Sequence, residues 1–155
     1  MNFEKENFLR TKFVSLLQKL KTETQPLWGK MSSQQMIEHF TDVVMVASGK
    51  IKLPIVTAAD KLPRLQEFMM SEKPFKENTK SPVLGEEPAP LRKHTKEAAI
   101  GKLQEEIIYF FEAFERNPGS KTTNPVFGEL DFDMNIQLLY KHALHHLRQF
   151  GINIF

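Results

Sequence analysis

The sequence predicts an all-α protein, in which four long helices form a four-helix bundle with a long crossover between helices 2 and 3. Four long segments repeat apolar side chains at the spacing of an amphipathic helix. Six prolines between Lys50 and Lys96 exclude a long helix from that part of the chain. Strand character is limited to the short stretch 50–56. Four helices with one long excursion are typical of a bundle.

Composition limits the function classes. The 155 residues are predicted to form one domain, 1–155. A net charge of +2 is too balanced to favour nucleic acid or an anionic membrane as a partner. The absence of cysteine excludes disulfides, thiolate nucleophiles and cysteine-type zinc sites. Because the first eight residues contain no apolar run and no segment has the length of a membrane span, we expect a soluble cytoplasmic protein.

Helix 1 is predicted over residues 5–21. Its apolar residues recur at helical spacing, with polar residues between them: Leu9, Phe13, Leu16, Leu17 and Leu20. The connector that follows carries the only tryptophan, Trp28, which we expect to close one end of the core.

Helix 2 has the clearest start signal. Ser32 is a good N-cap, and Gln35 three residues later completes a capping box. The helix is predicted to run from Ser33 to Ala47 and to end near Gly49. Its inward stripe consists of Met36, His39, Phe40, Val43, Val46 and Ala47, whereas Glu38 and Thr41 are expected to face away.

The proline-rich segment is predicted to contain one short helix, at residues 60–70. Residues 71–94 have no regular pattern. Long irregular segments inside a compact domain are uncommon and are often lids or binding loops. Two interpretations remain open for 71–94, namely a polar surface crossover between parallel helices and a lid over a site.

Helices 3 and 4 complete the prediction. Helix 3 begins after the N-cap Thr95 and ends near Glu115, where Asn117-Pro-Gly-Ser120 stops it. Helix 4 begins after the N-cap Asp131 and reaches about Phe150, with Gly151 as the C′ residue.

Three of the five histidines lie within five consecutive positions of helix 4: His142, His145 and His146. On a helix, His142 and His146 project side by side and are able to hold one metal ion. His39 lies in the inward stripe of helix 2, so the three side chains His39, His142 and His146 form a candidate metal site. Three imidazoles with an open position for water are typical of catalytic Zn²⁺, and imidazole also suits Ni²⁺ and Fe²⁺. The alternative is that these histidines are hydrogen-bonded core residues.

His145 lies at the edge of the helix face that carries His142 and His146. It either replaces His146 as a ligand or hydrogen-bonds a neighbour. Ligating histidines usually donate their second nitrogen to a carbonyl or carboxylate. Four residues lie on the histidine side of their helices as candidates for this role: Gln35, Asp42, Asn135 and Gln149, of which we favour Gln149. His94 stands apart in the proline-rich segment, where we expect it to be solvated.

Two segments resemble a known family. The sequence Trp28-Gly-Lys-Met-Ser-Ser-Gln-Gln-Met-Ile-Glu-His39 is similar to the helix-2 signature of the DinB-like superfamily. Pro125-Val-Phe-Gly-Glu-Leu130 and Tyr140-Lys-His-Ala-Leu-His-His-Leu-Arg-Gln-Phe-Gly151 are similar to its C-terminal signature. The resemblance covers essentially the whole chain and is closest to a bacterial branch of unknown function. It departs at Asn124 and Asn135, where relatives carry histidine and an aromatic residue.

The resemblance implies an up-down-down-up bundle and a divalent-metal site of His39, His142 and His146 that takes Ni²⁺ or Zn²⁺. It also implies a homodimer. The leading hypothesis is therefore a metal-dependent enzyme that activates water for hydrolysis or a small-molecule thiol for transfer. With no cysteine in the chain, the thiol must come from the substrate or cofactor. The second hypothesis is a non-catalytic metal- or ligand-binding bundle with a stress-related or interaction role.

Overall fold

The computed structural model describes residues 2–77 and 87–154. Within these residues the chain is mostly helical, and its strands are limited to one short hairpin, in agreement with the predicted all-α class. Helix α1 is continuous but contains a π-helical segment at Phe8–Lys12 between α-helical Phe3–Asn7 and Phe13–Lys19. The other elements are α2 (Ser33–Ser48), α3 (Leu62–Met70, after a 3₁₀ turn at Ala59–Lys61), α4 (Lys96–Arg116), β1 (Thr122–Asn124), β2 (Gly128–Leu130) and α5 (Phe132–Gln149).

One hydrophobic core receives side chains from α1, α2, α4 and α5. Phe13, Phe40 and Phe110 are among its largest fully buried side chains. The rings of Phe13 and Phe40 meet edge to face at 4.8 Å, an arrangement that aromatic pairs prefer. Burying each such side chain contributes roughly 1.5–3 kcal/mol. Phe40 follows His39 directly in the sequence, so this packing fixes the part of α2 that carries the candidate site.

The ends of α2 are those that the sequence predicts. The Ser32 side chain accepts from the Gln35 amide, and the Gln35 side chain accepts from the Ser32 amide. Gly49 ends the helix in the left-handed conformation, with φ of 87°. The prediction that Glu38 and Thr41 face away from the interior is wrong, because both are buried. The cause is tertiary: residues 92 and 93, at the end of the crossover, lie on that face of α2.

The hairpin β1–β2 was not predicted. Its antiparallel strands pair Thr122 with Leu130, and the turn is closed by the Asn124 side chain, which accepts from the amides of Val126 and Phe127. The predicted strand character of residues 50–56 is wrong, since none of them is in a strand. The hairpin connects α2 to α5, because the Thr122 hydroxyl donates to the Ala47 carbonyl and accepts from the Asn135 amide.

The short helix α3 is held against α5 at its C-terminal end. Lys141 Nζ donates to the Phe68 carbonyl at 2.7 Å, and Gln137 Nε2 donates to the Ser71 carbonyl at 3.0 Å. A second, smaller apolar cluster lies beside these contacts and consists of Met69, Leu130 and Leu138, with Phe75, Phe127 and Met134 packed against them. This cluster directs the chain after α3 toward the histidine-bearing face of α5.

The crossover after α3 is only partly described. Residues 71–77 and 87–94 contain no helix or strand, as predicted. The central part of the predicted irregular segment, residues 78–86, lies outside the described residues. Among the helices that are described, none combines the length and the hydropathy of a transmembrane segment.

Candidate metal centre

Helices α2 and α5 bring three histidines together. His39, His142 and His146 each offer one ring nitrogen, and these three atoms lie within 4.8 Å of one another. The His39 ring centroid is 5.5 Å from that of His142 and 5.1 Å from that of His146. The i, i+4 spacing on α5 and the inward position on α2 produce this convergence, so the structure groups the three residues that the sequence selects.

Gln149 orients His146. Nδ1 of His146 lies 2.8 Å from Gln149 Oε1, and because an amide oxygen only accepts, Nδ1 must donate. Nε2 of a neutral His146 is then unprotonated, and it lies 2.9 Å from Nε2 of His142. Nε2 of His142 therefore donates to it. In the other neutral tautomer of His142, which carries its proton on Nδ1, both Nε2 atoms have lone pairs that face the same point.

These distances match a coordination shell. At a metal–nitrogen distance of about 2.0–2.1 Å, two ligand nitrogens of a tetrahedral site are about 3.3 Å apart. The two Nε2 atoms at 2.9 Å are a few tenths of an ångström from that spacing. The limit of 4.8 Å over all three nitrogens is wider than that spacing, so the three side chains would have to move closer together around an ion. The donor set is thus three neutral nitrogens with no carboxylate or thiolate.

Burial keeps the three histidines neutral. It lowers the pKa of His142 and that of His146 well below the usual value, and neighbouring histidines lower both further, although the Gln149 hydrogen bond opposes this at His146. Burial also lowers the pKa of His39, while the Asp42 carboxylate raises it. The neutral imidazole is the form that binds a metal ion. No imidazolium therefore has to lose a proton before an ion binds at neutral pH.

Of the four residues considered as partners of the histidines, only Gln149 has that role. Its amide also donates to the Trp28 carbonyl at 3.0 Å, which fixes its own orientation. Gln35 instead completes the helix cap and donates to the Ala89 carbonyl. The Asp42 carboxylate pairs with the Arg92 guanidinium. Asn135 bonds to the hairpin and to the start of its own helix.

His145 lies beside the three-histidine group and is not part of it. Its ring centroid is 5.4 Å from that of Trp28 and 6.1 Å from that of Phe75. Burial and the positive charge of Arg148 lower the pKa of His145 to about 4, although a backbone hydrogen bond with Phe75 raises it. Its Nδ1 is buried and has no hydrogen-bond partner in the described part of the chain. The remaining histidine, His94, is exposed as the sequence predicts.

Aromatic side chains surround the histidines. Phe40 contacts the rings of His142 and His146 from the core side. Phe75, from the start of the crossover, meets His142 edge to face at 6.1 Å and stacks with Phe127 of the hairpin at 6.4 Å. The sequence gives no signal for Phe75 or Phe127 as site residues, because no local pattern brings the crossover and the hairpin to α5. Part of the predicted lid segment thus contacts the histidine face.

Trp28 was predicted to close one end of the core, but it is half-buried and lies against His145. The Leu27 amide donates to the Gln149 carbonyl, which holds this connector on the end of α5.

Comparisons with protein-family models, with curated proteins and with solved structures find no match for this chain.

Proposed function

We propose that this protein is a divalent-metal-dependent enzyme of the DinB-like type, either a hydrolase or a thiol transferase. The observation that carries the proposal is the meeting of His39, His142 and His146 within 4.8 Å. The four long helices are proposed to form the up-down-down-up bundle that the sequence resemblance implies. Four of the described helices share one core, which is what such a bundle requires.

The donor set favours Ni²⁺ or Zn²⁺. Imidazole nitrogens suit both ions, whereas Mg²⁺ and Ca²⁺ prefer oxygen ligands. When bound, such an ion supplies a Lewis acid that activates water for hydrolysis or a small-molecule thiol for transfer. Three protein ligands are the number found in catalytic zinc sites, which keep the fourth position for water or substrate.

The chain's own residues prepare the site. Gln149 keeps Nδ1 of His146 protonated, so that Nε2 faces the cluster. Phe40 and Phe75 exclude water from two sides of the imidazoles. A low-dielectric surrounding strengthens every electrostatic interaction within it. A small-molecule substrate with an apolar part fits the half-buried rim that Phe75 and Trp28 provide.

Metal binding tests the proposal first. We expect untagged protein to bind one Ni²⁺ or Zn²⁺ per chain, measured by elemental analysis and competitive titration. Because loss of a hydrogen-bond partner of a ligand already costs roughly 10–100-fold in affinity, His142→Ala/His146→Ala should weaken binding by more than about 100-fold. His94→Ala, which removes an exposed histidine, is the matched control and should bind as the native chain does.

Equal metal affinity of the native chain and the double variant would contradict the proposal. Turnover then separates the two function classes. An enzyme hydrolyses model esters or transfers a thiol to an electrophile in a metal-dependent way that the double variant lacks. A non-catalytic bundle binds the metal, gains thermal stability from it and turns over neither kind of substrate.

A further inference from the structure

One arginine next to the histidine cluster makes no side-chain hydrogen bond or ion pair within the described residues. Arg148 on α5 is half-buried, and its Nη2 is shielded from solvent and has no hydrogen-bond partner among residues 2–77 and 87–154. Three of the four other arginines pair with carboxylates, namely Arg10 with Glu115, Arg92 with Asp42, and Arg116 with Glu112, and the fourth, Arg64, is exposed. A buried donor without a partner is costly, because it has lost its hydration. Arg148 is therefore placed to receive an acceptor from outside the chain.

A second polar atom in the same place also lacks a partner. Nδ1 of His145 is buried and makes no hydrogen bond to any residue that the structure describes. Residues 145 and 148 are three apart on one helix, so their side chains are neighbours. Helical side chains lean toward the N-terminus of their helix, which directs the Arg148 guanidinium toward the turn that carries His145. The His145 ring donates to the Phe75 backbone, so its free Nδ1 is an acceptor, and the unsatisfied donor of the two is Arg148 Nη2. A ligand acceptor at this place would therefore pair with Arg148.

The surroundings add an apolar surface. Trp28 and Phe75 contact the His145 ring, at 5.4 Å and 6.1 Å between centroids. Phe75 also contacts His142, which belongs to the three-histidine group. Residues 148 and 142 are about 9 Å apart along the helix axis. A molecule with one polar end at Arg148 and an apolar body against these rings would reach the histidines with its other end.

We propose that this site takes small carboxylates, with the ligand carboxylate paired to Arg148 and its apolar body lying against Trp28 and Phe75. The part of the ligand that reaches His39, His142 and His146 is the reacting end, and its role there rests on the proposed function. A carboxylate fits better than a phosphate dianion, because one guanidinium supplies one positive charge in a planar fork that matches the two carboxylate oxygens.

The test compares 3-phenylpropanoate with 3-phenylpropanamide, which have the same body and differ in charge. Binding is measured by calorimetry on the metal-free protein in the presence of a chelator, so that no ion attracts the acid. We expect the native chain to bind the acid roughly 10- to 100-fold more tightly than the amide, the usual gain from a charge-assisted pair. Arg148→Gln should bring the two affinities together, and Arg148→Lys should keep part of the preference.

Arg116→Gln is the matched control, since it removes the same charge at an exposed position far along the sequence and should keep the preference for the acid. Equal affinities of the native chain for acid and amide, no measurable binding of the acid, or equal effects of Arg148→Gln and Arg116→Gln would each overturn the proposal. Tighter binding of 2-phenylethyl phosphate than of the acid would overturn the choice of carboxylate.

The double variant His142→Ala/His146→Ala separates this proposal from the metal site. If it loses Zn²⁺ binding but keeps the preference for the acid, both proposals hold. If the native chain binds no metal but still prefers the acid through Arg148, the carboxylate site stands and the proposed function fails. Unchanged Zn²⁺ affinity of Arg148→Gln checks that this variant is folded and that Arg148 acts on the ligand.

Discussion

At the scale of single residues, Gln149 determines what the histidine cluster is able to do. It is 3% exposed, and its two amide atoms have different partners: Oε1 accepts from His146, and Nε2 donates to the Trp28 carbonyl. The second hydrogen bond prevents the amide from flipping, so the first one fixes the His146 tautomer. An imidazole in the other tautomer would present N–H to a cation.

We therefore expect Gln149→Leu, which keeps the volume and removes both hydrogen bonds, to weaken Ni²⁺ or Zn²⁺ binding by roughly 10–100-fold. The measurement is a competitive metal titration at neutral pH. Gln104→Leu replaces an exposed glutamine of α4 and should leave the affinity unchanged. Native affinity in Gln149→Leu would mean that His146 does not depend on this hydrogen bond.

Residue spacing explains which site residues the sequence reveals. His142 and His146 occupy adjacent turns of one helix, and His39 lies on the inward side of a well-capped helix, so helical geometry alone predicts that they converge. The position of His145 depends on Trp28 and Phe75, which come from a connector and from the crossover. Helical spacing contains no information about such distant segments, and His145 remained ambiguous for that reason.

At the scale of elements, Glu38 attaches the end of the crossover to α2. Its buried carboxylate accepts from the amides of Arg92 and Lys93, at 2.7 and 3.2 Å, and from Gln34 Nε2 at 3.1 Å. Burial raises the pKa of Glu38, but these hydrogen bonds and the Arg92 side chain outweigh it, so that the pKa lies below its ordinary value. The folded state therefore favours the charged carboxylate.

We expect Glu38→Gln to lower the free energy of unfolding by about 1.5–3 kcal/mol at pH 7, because the lost hydrogen bonds involve a charged acceptor. The pKa of Glu38 is lower in the folded state than in the unfolded state, so its contribution is complete above about pH 4.5. It is lost as the pH falls through the folded-state pKa. The difference between native and variant chains should therefore shrink below about pH 4.5.

Urea unfolding at several pH values measures this difference. Glu67→Gln changes an exposed carboxylate on α3 and should have little effect at any pH. A difference between native and Glu38→Gln chains that stays constant down to pH 3, well below the ordinary pKa of a glutamate, would show that Glu38 does not act through its charge.

Helix ends were predictable because their signals are local. Ser32, Thr95 and Asp131 each accept a hydrogen bond within their own first turn, and the sequence states those residue types directly. The hairpin had no comparable signal, since strands of three residues are too short for alternation to be visible. Its support is tertiary, through Thr122, Asn135 and Ala47.

At the scale of the whole molecule, the candidate ligands connect segments that are far apart in the chain. His39 belongs to α2, whereas His142 and His146 belong to α5, and both helices contribute to the same core. An ion bound by all three histidines would stabilise the folded state alone, because His39 is far from the pair in the unfolded chain. Metal binding and global stability should therefore be linked.

At a free metal concentration of 100 times the dissociation constant, the native chain should gain about 2.7 kcal/mol in free energy of unfolding. Urea unfolding measures this as a higher midpoint with an unchanged slope, since the surface exposed on unfolding stays the same. His94→Ala should gain as much as the native chain, and His142→Ala/His146→Ala should gain little at the same metal concentration.

A native chain that binds the ion without this gain would indicate that its unfolded state binds the ion equally well, and an equal gain in the double variant would place the ion elsewhere. The expected difference between the two variants follows only if the ion binds at the histidine pair of α5.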